Sequence, residues 1–291
     1  MSPARRALAG ALLLAAALAA RAEISLVDDL GRRVTLPAPA ARVVTLAPSI
    51  TEAAFAVGAG ARVVGVSAWS DYPPEAARLP AVSSAFGVDL EALAKLAPDL
   101  VIAWKDSFRA ADIPRLEALG ARVVVVQSRT LAEIPRLLAV TAALTGADAA
   151  PATRAYETRL AAVRAKHAGR APLRVFLEIS HRPLMTVAGA HFMNEALAAC
   201  GAANVFGELR EVAPQVSWEE LFARNPAAIL GTGPEEGEAD FHAAWRERPA
   251  PFPVADSVGR AYPAPFLGGF DVPRPQLVDI DADGDLDLFV Q

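Results

Sequence analysis

The chain has 291 residues, is 53% hydrophobic and carries a net charge of −5. That is enough material for one large domain or two lobes of ordinary size. Of 33 acidic and 28 basic residues, six aspartates and one arginine fall after position 270, leaving a neutral body with 27 of each; this excludes the electrostatic footprint of a nucleic-acid binder, and the single cysteine, Cys200, excludes a cysteine-based zinc or iron–sulfur centre.

The first 22 residues read as a cleavable export signal. Arg5 and Arg6 are its basic start, Ala7 to Ala20 its apolar run, and Ala20-Arg21-Ala22 its cleavage site. The apolar run is too short to span a bilayer comfortably. The expected location is therefore the periplasm.

From Arg42 short apolar runs alternate with helical ones. Strands are expected at 43–46, 63–66, 100–103 and 123–126. Helices are expected from Ser49 to Gly58, from Asp89, over 113–119 and over 131–145. Continuous Val/Ile/Leu runs between helices predict an α/β fold whose parallel sheet is covered on both faces. Residues 23–147 form the first lobe in this reading. A charged helical stretch over 148–169, with Tyr156, Leu160 and Val163 at helical spacing, is the rigid connector. Residues 170–250 form a second, shorter lobe with a strand at 174–179, a helix at 192–199, a helix opening at Ser217 and a strand at 228–230. Beyond 250 the βα pattern stops, and the chain turns rich in Pro, Gly and aromatics.

Two segments 128 residues apart repeat without a gap. Asp89 to Ile102 lies over Ser217 to Leu230. Each opens on a good N-cap residue, carries a glutamate two positions on (Glu91, Glu219), ends its helix at a proline (Pro98, Pro226) and enters a strand. Ser49 with Glu52, and Ser217 with Glu220, have the capping-box spacing. That leaves Glu91 and Glu219 as the matched pair without a capping task, although complementing the helix dipole is a sufficient reason for a carboxylate there.

Open α/β sheets bind ligands beyond the carboxyl ends of their strands. Trp69 and Tyr72 follow the strand at 63–66, Trp104 follows that at 100–103, and Met185 lies in the segment after 174–179. Aromatic side chains there can stack on a large flat ligand or pack the lobe edge. The four histidines, 167, 181, 191 and 242, have no zinc-ligand spacing. No Gly-x-Ser-x-Gly, His-Glu-x-x-His or Walker motif is present, so an enzyme has no residues to rest on. Asp279, Asp281, Asp283, Asp285 and Asp287 alternate around Gly284, a spacing able to converge hard oxygens on one Ca²⁺.

Residues from about 42 to 231 resemble the periplasmic cobalamin-binding proteins of ABC importers. The resemblance is carried by Arg42-Val-Val-Thr-Leu-Ala-Pro-Ser-Ile-Thr-Glu52, Ser67-Ala-Trp-Ser-Asp-Tyr-Pro-Pro74, Pro98-Asp-Leu-Val-Ile-Ala-Trp104, Arg182-Pro-Leu-Met-Thr-Val187, Cys200-Gly-Ala-Ala-Asn-Val-Phe206 and Pro214-Gln-Val-Ser217. It implies two α/β lobes joined by one long helix, with cobalamin between them. Ligand-contact positions fall on Trp69, Trp104 and Met185, and one glutamate per lobe, Glu91 and Glu219, docks on the permease. Two further tryptophan positions of the family are Ala85 and Ala213 here, with Phe86 next to the first. This departure leaves haem or an iron–siderophore as the alternative ligand. The implied partners are the permease and ATPase subunits of the importer, and the chain acts as a monomer. The family's C-terminal portion, with a cysteine that would pair with Cys200, is replaced from about 262 by a segment resembling an FG-GAP (integrin-type) repeat, so the second lobe is expected to be truncated. A secreted, calcium-dependent adhesion or scaffold protein is the reading from another class.

Overall fold

The structure is a computed structural model, and it describes residues 23–84 and 87–231. Phe86, residues 1–22 with the expected export signal, the aspartates from 279 to 287 and everything else after Gly231 lie outside the described residues.

The described residues open with a hairpin that the sequence pattern did not announce: β1 (Ile24–Val27) pairs antiparallel with β2 (Arg33–Leu36). Its turn is built on Asp28, whose carboxylate accepts the Leu30 and Arg32 amides and both Nε and Nη2 of Arg32. Arg32 also donates to the Val123 carbonyl at 2.8 Å. The hairpin is thereby fastened to the edge of the first sheet, which blunts that edge.

Six strands form the first sheet: β3 (Val43–Leu46), β4 (Val63–Ser67), β5 (Ala81–Ser84), β6 (Gly87–Val88), β7 (Leu100–Trp104) and β8 (Arg122–Val126), in the order β6-β5-β4-β3-β7-β8. All neighbours run parallel except β6, which returns antiparallel to β5. The short apolar runs form this sheet because helices cover both faces. Helices α1 (Pro48–Ala56) and α4 (Ile134–Thr145) cover one face, sharing a core with Ile102, Trp104 and Val124. Helices α2 (Leu90–Leu96) and α3 (Ile113–Ala118) cover the other, over Val44, Val101 and Val123.

Helix α5 (Ala150–His167) has 18 residues and spans about 27 Å at 1.5 Å per residue. Its partly buried Leu160 packs against the cores of both lobes, so this one helix contacts each of them. A second tie exists. Leu131 belongs to the second lobe's core; its amide donates to Glu195 at 2.7 Å and its carbonyl accepts from the Tyr156 hydroxyl at 2.7 Å. Burial pushes the Tyr156 phenol up to about 12, so it stays protonated and donating.

The second lobe is organised on β9 (Leu173–His181). The strand β12 (Ala228–Gly231) runs parallel along one edge, while β11 (Ala202–Asn204), parallel, and β10 (Leu184–Thr186), antiparallel, share the other. The shared edge follows from register: Val175 pairs with both Asn204 and Ala228, and Glu178 with both Thr186 and Gly231. Helices α6 (Phe192–Ala199) and α7 (Trp218–Arg224) pack on this sheet over two separate clusters, one around Val175, Leu177 and Leu197, the other around Phe176, Phe206 and Leu221. No described helix is long and apolar enough to cross a membrane. The expected α/β architecture of two lobes and one connecting helix is the one observed.

Candidate ligand site and its relatives

Parallel registers align Leu46, Ser67 and Ala103 at the carboxyl edge of the first sheet. Helix α1 starts there directly, with Ala47 as N-cap and Pro48 in its first turn. The capping box expected at Ser49 and Glu52 does not form. Proline, whose fixed φ suits the first helical position, begins the helix two residues earlier than that box needs. Ser49 is thereby drawn inside the helix, buried, with its hydroxyl unpartnered. Glu52 is released from capping, and its charge acts on Tyr72 instead.

Beside this helix start, a turn carries Trp69 out of β4. Trp69 has φ of 67°, a left-handed conformation that bulky residues rarely adopt, and is 69% exposed. Four buried hydroxyls lie behind it. Thr51 Oγ1 is 2.7 Å from Thr45 Oγ1, 3.1 Å from Ser70 Oγ and 3.2 Å from the Ala47 carbonyl, and Ser70 Oγ is 2.8 Å from Ser67 Oγ. Two residues further on, Tyr72 precedes Pro73 through a cis peptide bond. The Tyr72 phenol is raised above its ordinary value, first by burial and then by the carboxylate of Glu52, while Arg159 on the connecting helix opposes the shift.

Trp104 behaves differently from the expectation placed on it. It is the last residue of β7, only 5% exposed, and packs with Ile102, Val124 and Val126 in the first lobe's core. A tryptophan just after a strand would sit on the rim; here the strand is one residue longer than the apolar run suggests, and the parallel ladder to β8 carries Trp104 into the core. Met185 is not in a loop either. The turn at Arg182 and Pro183 reverses β9 into β10, and Met185 pairs with Ser180 across that hairpin, partly exposed. Ala213 is exposed.

In the second lobe the end of β9 presents a polar pair inside an aromatic group. His181 Nδ1 is 3.0 Å from Glu178 Oε1, and the His181 ring meets Trp218 edge-on at 5.4 Å. Trp218 in turn stacks obliquely on Phe222 at 6.2 Å. His191 is a helix cap: its Nδ1 accepts the Met193 amide, and burial lowers the imidazole to about 4. Cys200 is buried at the end of α6. No three His, Cys, Asp or Glu side chains among the described residues are grouped to hold a metal ion.

Both glutamates of the repeat stand exposed in the first turns of their helices, as expected. Asp89 caps α2 by accepting the Glu91 and Ala92 amides, and Ser217 closes the expected capping box with Glu220. Glu91 is not uncommitted, however: Lys95 Nζ lies 2.8 Å from its Oε1. The Thr45, Thr51 and Ser70 hydroxyls were missed by sequence reasoning. Their signal is faint, three small polar residues at a strand end, a helix start and a turn, separated along the chain.

Residues 43–250 match the model of a family described as periplasmic binding protein. The chain is similar to the vitamin B12-binding protein of Salmonella typhimurium, 41% identical over 206 residues that make up 69% of this chain and 76% of that one. It is also similar to the vitamin B12-binding protein of Vibrio cholerae, 34% identical over 215 residues, 72% of this chain and 76% of the relative. Among solved structures, the periplasmic vitamin B12-binding protein of Vibrio cholerae superposes with a TM-score of 0.61 at 31% identity, covering 72% of this chain and 83% of that one. A periplasmic haem-binding protein of Pseudomonas aeruginosa reaches the same TM-score at 23% identity, covering 75% and 84%, a likeness of fold alone. With the family model spanning well over half of its length, this chain belongs to the periplasmic binding protein family, a family of solute-binding proteins rather than enzymes.

Proposed function

We propose that this protein binds cobalamin (vitamin B12) in the periplasm and delivers it to the permease and ATPase subunits of an ABC importer. The observation that carries the reading is Trp69: a large indole, 69% exposed, held in an unfavourable backbone conformation at the carboxyl edge of a parallel sheet. Exposed aromatic surface and local strain of this kind concentrate at ligand sites. A corrin ring is large, flat and largely apolar on its faces, and it suits stacking on an indole. The names of the relatives at 34–41% identity point to the same ligand.

Tyr72 and Met185 are the other proposed contacts among the described residues. Trp104 supports the site from behind, as a buried wall, and Phe86 completes the set from outside the described residues. Glu91 and Glu219 are the proposed docking carboxylates, one on each lobe. The aspartates 279 to 287 remain a Ca²⁺ site proposed from sequence spacing alone, with residues 251–291 as a separate segment and residues 1–22 as the export signal.

Titration of the purified mature chain with cyanocobalamin, followed by calorimetry, is the direct test. Saturable one-to-one binding is expected, and Trp69→Ala weakens it at least tenfold, within the range for truncating a stacked aromatic anchor. Tight binding of haem or a ferric siderophore with no response to cyanocobalamin would replace the ligand. Binding of Ca²⁺ alone, with no small-molecule ligand, would favour the adhesion or scaffold reading. Charge reversal at Glu91 and Glu219 together should abolish uptake in a reconstituted importer and leave cobalamin affinity unchanged.

A further inference from the structure

Trp69 occupies a backbone state that an aromatic residue does not choose by itself, so something in the surrounding structure must hold it there. The Ser67–Ser70 turn has one backbone hydrogen bond of its own, from the Ser70 amide to the Ser67 carbonyl at 3.3 Å. That is a long bond. The Ala68 amide also donates to the Ser83 carbonyl of β5 at 2.7 Å, which ties the start of the turn to the sheet. The side chains add a second fastening, the run of hydroxyls Thr45–Thr51–Ser70–Ser67, with oxygen–oxygen separations of 2.7, 3.1 and 2.8 Å. All four residues are at most 4% exposed. Four hydroxyl protons serve three links, so every link can be made at once, and Thr51 also reaches the Ala47 carbonyl.

The chemistry of this placement is specific. Ser67 and Ser70 bracket the turn; Thr45 is on the central strand β3; Thr51 is inside α1. The chain of hydroxyls therefore ties the turn to two of the most deeply packed elements of the first lobe, across a low-dielectric interior where such bonds are strong. Four buried hydroxyls would be a poor choice for stability alone, because packed apolar groups of the same size serve as well. Their value is geometric: they fix the position and direction of the turn that displays Trp69.

We propose that Thr45, Thr51, Ser67 and Ser70 are positioning residues for the ligand site, a hydroxyl chain that holds the Trp69 turn in its ligand-ready conformation before ligand arrives. The proposal rests on the reading of Trp69 as a ligand contact. The gain in affinity comes from ordering that is already present in the free protein. Ser70 is the link on which it depends most, since it joins the turn to Thr51.

The test combines a binding cycle with a ligand-free readout. Ser70→Ala, and Thr51→Val from the helix side, should each weaken cyanocobalamin binding by about tenfold, the size of one or two lost buried hydrogen bonds. Thr51→Ser, which keeps the hydroxyl, should bind as the parent does. In a Trp69→Ala background Ser70→Ala should change affinity less than twofold, because the group through which it acts is gone. An undiminished tenfold loss in that background would overturn the proposal. Independently of any ligand, the protein labelled with 5-fluorotryptophan has four ¹⁹F lines, one per tryptophan, and Trp69→Phe assigns the relevant one. Ser70→Ala should shift and broaden that line in the free protein and leave the Trp104 and Trp218 lines in place. If it does not, the hydroxyl chain does not hold the turn, whatever the ligand proves to be. If wild-type protein fails to bind cyanocobalamin while the Trp69 line responds as expected, the ligand assignment falls and the positioning device stands.

Discussion

The segments 89–102 and 217–230 are the same piece of structure in two settings. Each helix is capped by a side chain, Asp89 or Ser217; each ends on a non-glycine residue in the left-handed region, Ala97 at φ 42° and Asn225 at φ 45°; each buries one leucine completely, Leu93 or Leu221; and each leads past a proline into a parallel strand. Their surroundings differ. The strand after Pro98 is β7, central between β3 and β8, whereas the strand after Pro226 is β12, paired only with β9 among the described residues. The helix at 217 also carries aromatic contacts to His181 and Phe222 through Trp218, where the helix at 89 has Leu90. The difference teaches that the display of one exposed glutamate per lobe is encoded locally, by cap, buried leucine and stop, and does not depend on how many strands lie alongside.

Truncating the buried leucines tests this most severely. Leu93→Ala and Leu221→Ala should each cost about 2–5 kcal/mol, transfer plus cavity, because both side chains are fully enclosed. If local packing is equivalent, urea unfolding will give losses within about 1 kcal/mol of one another. A much smaller loss at Leu221 would mean that the second copy is loosely built, and the equivalence would fail.

A second comparison uses acid, to which the second lobe alone has a buried histidine cap. His191 is neutral when folded, with its imidazole lowered to about 4 from an ordinary 6.5 by burial. Protonation would turn Nδ1 from acceptor to donor and lose the Met193 amide. The unfolded chain takes up its proton first, so the stability from this group is full above pH 6.5 and declines as pH falls toward 4. The drop is roughly 3 kcal/mol, from about 1.36 kcal/mol per pKa unit. His191→Asn, which keeps a capping side chain, should flatten that part of the stability profile measured by urea titration at successive pH values; an unchanged slope would assign it elsewhere.

Helix ends provide a finer contrast. Alanine in the left-handed region costs about 1–2 kcal/mol, whereas asparagine tolerates it. Ala97→Gly should therefore raise stability by about 0.5–1 kcal/mol, and Asn225→Gly should leave it nearly unchanged. Thermal melts of the two variants separate the cases. Equal responses would show that the φ values of the two copies do not carry the same cost.

The sequence spoke clearly wherever structure is set by a local pattern. The helices and the strands β3, β4, β7, β8, β9 and β12 lie close to the apolar run or helical spacing that announces them, and the stop at Gly146 is visible as a residue that accepts positive φ; the short strands β5, β6, β10 and β11 carry no such run and are not announced. What it concealed is set by neighbours distant in the chain. The first hairpin depends on Asp28 and Arg32 reaching β8. Trp104 looks like a rim residue until the ladder to β8 extends its strand. Ser49 and Glu52 have capping-box spacing, and Pro48 overrides it. Thr45, Thr51, Ser67 and Ser70 form one chain of hydroxyls only because β3, α1 and β4 meet at one edge. The ligand site is thus the least legible part, since it is assembled from strand ends, turns and tertiary hydrogen bonds rather than from any one motif.

The smallest expected effect bears most directly on docking. Glu91 is held by Lys95, four residues along its helix, while the matching position in the second copy is Ala223 and Glu219 has no ion-pair partner among the described residues. Both Glu91 and Lys95 are well exposed, and a surface pair of this spacing stabilises a helix by about 0.3–0.5 kcal/mol. Lys95→Ala should cost that much in low salt and nothing measurable at high salt, where exposed charges are screened. If Glu91 meets a basic group of the permease, it must first give up Lys95, and Glu219 has no such step. Removing the lysine then favours docking by about the same energy, close to a twofold gain in affinity for the importer at low ionic strength. A surface-resonance titration of the reconstituted importer can read that gain. A loss of affinity instead would make Lys95 part of the docking surface, and the two copies would then present different contacts to the permease rather than the same carboxylate twice.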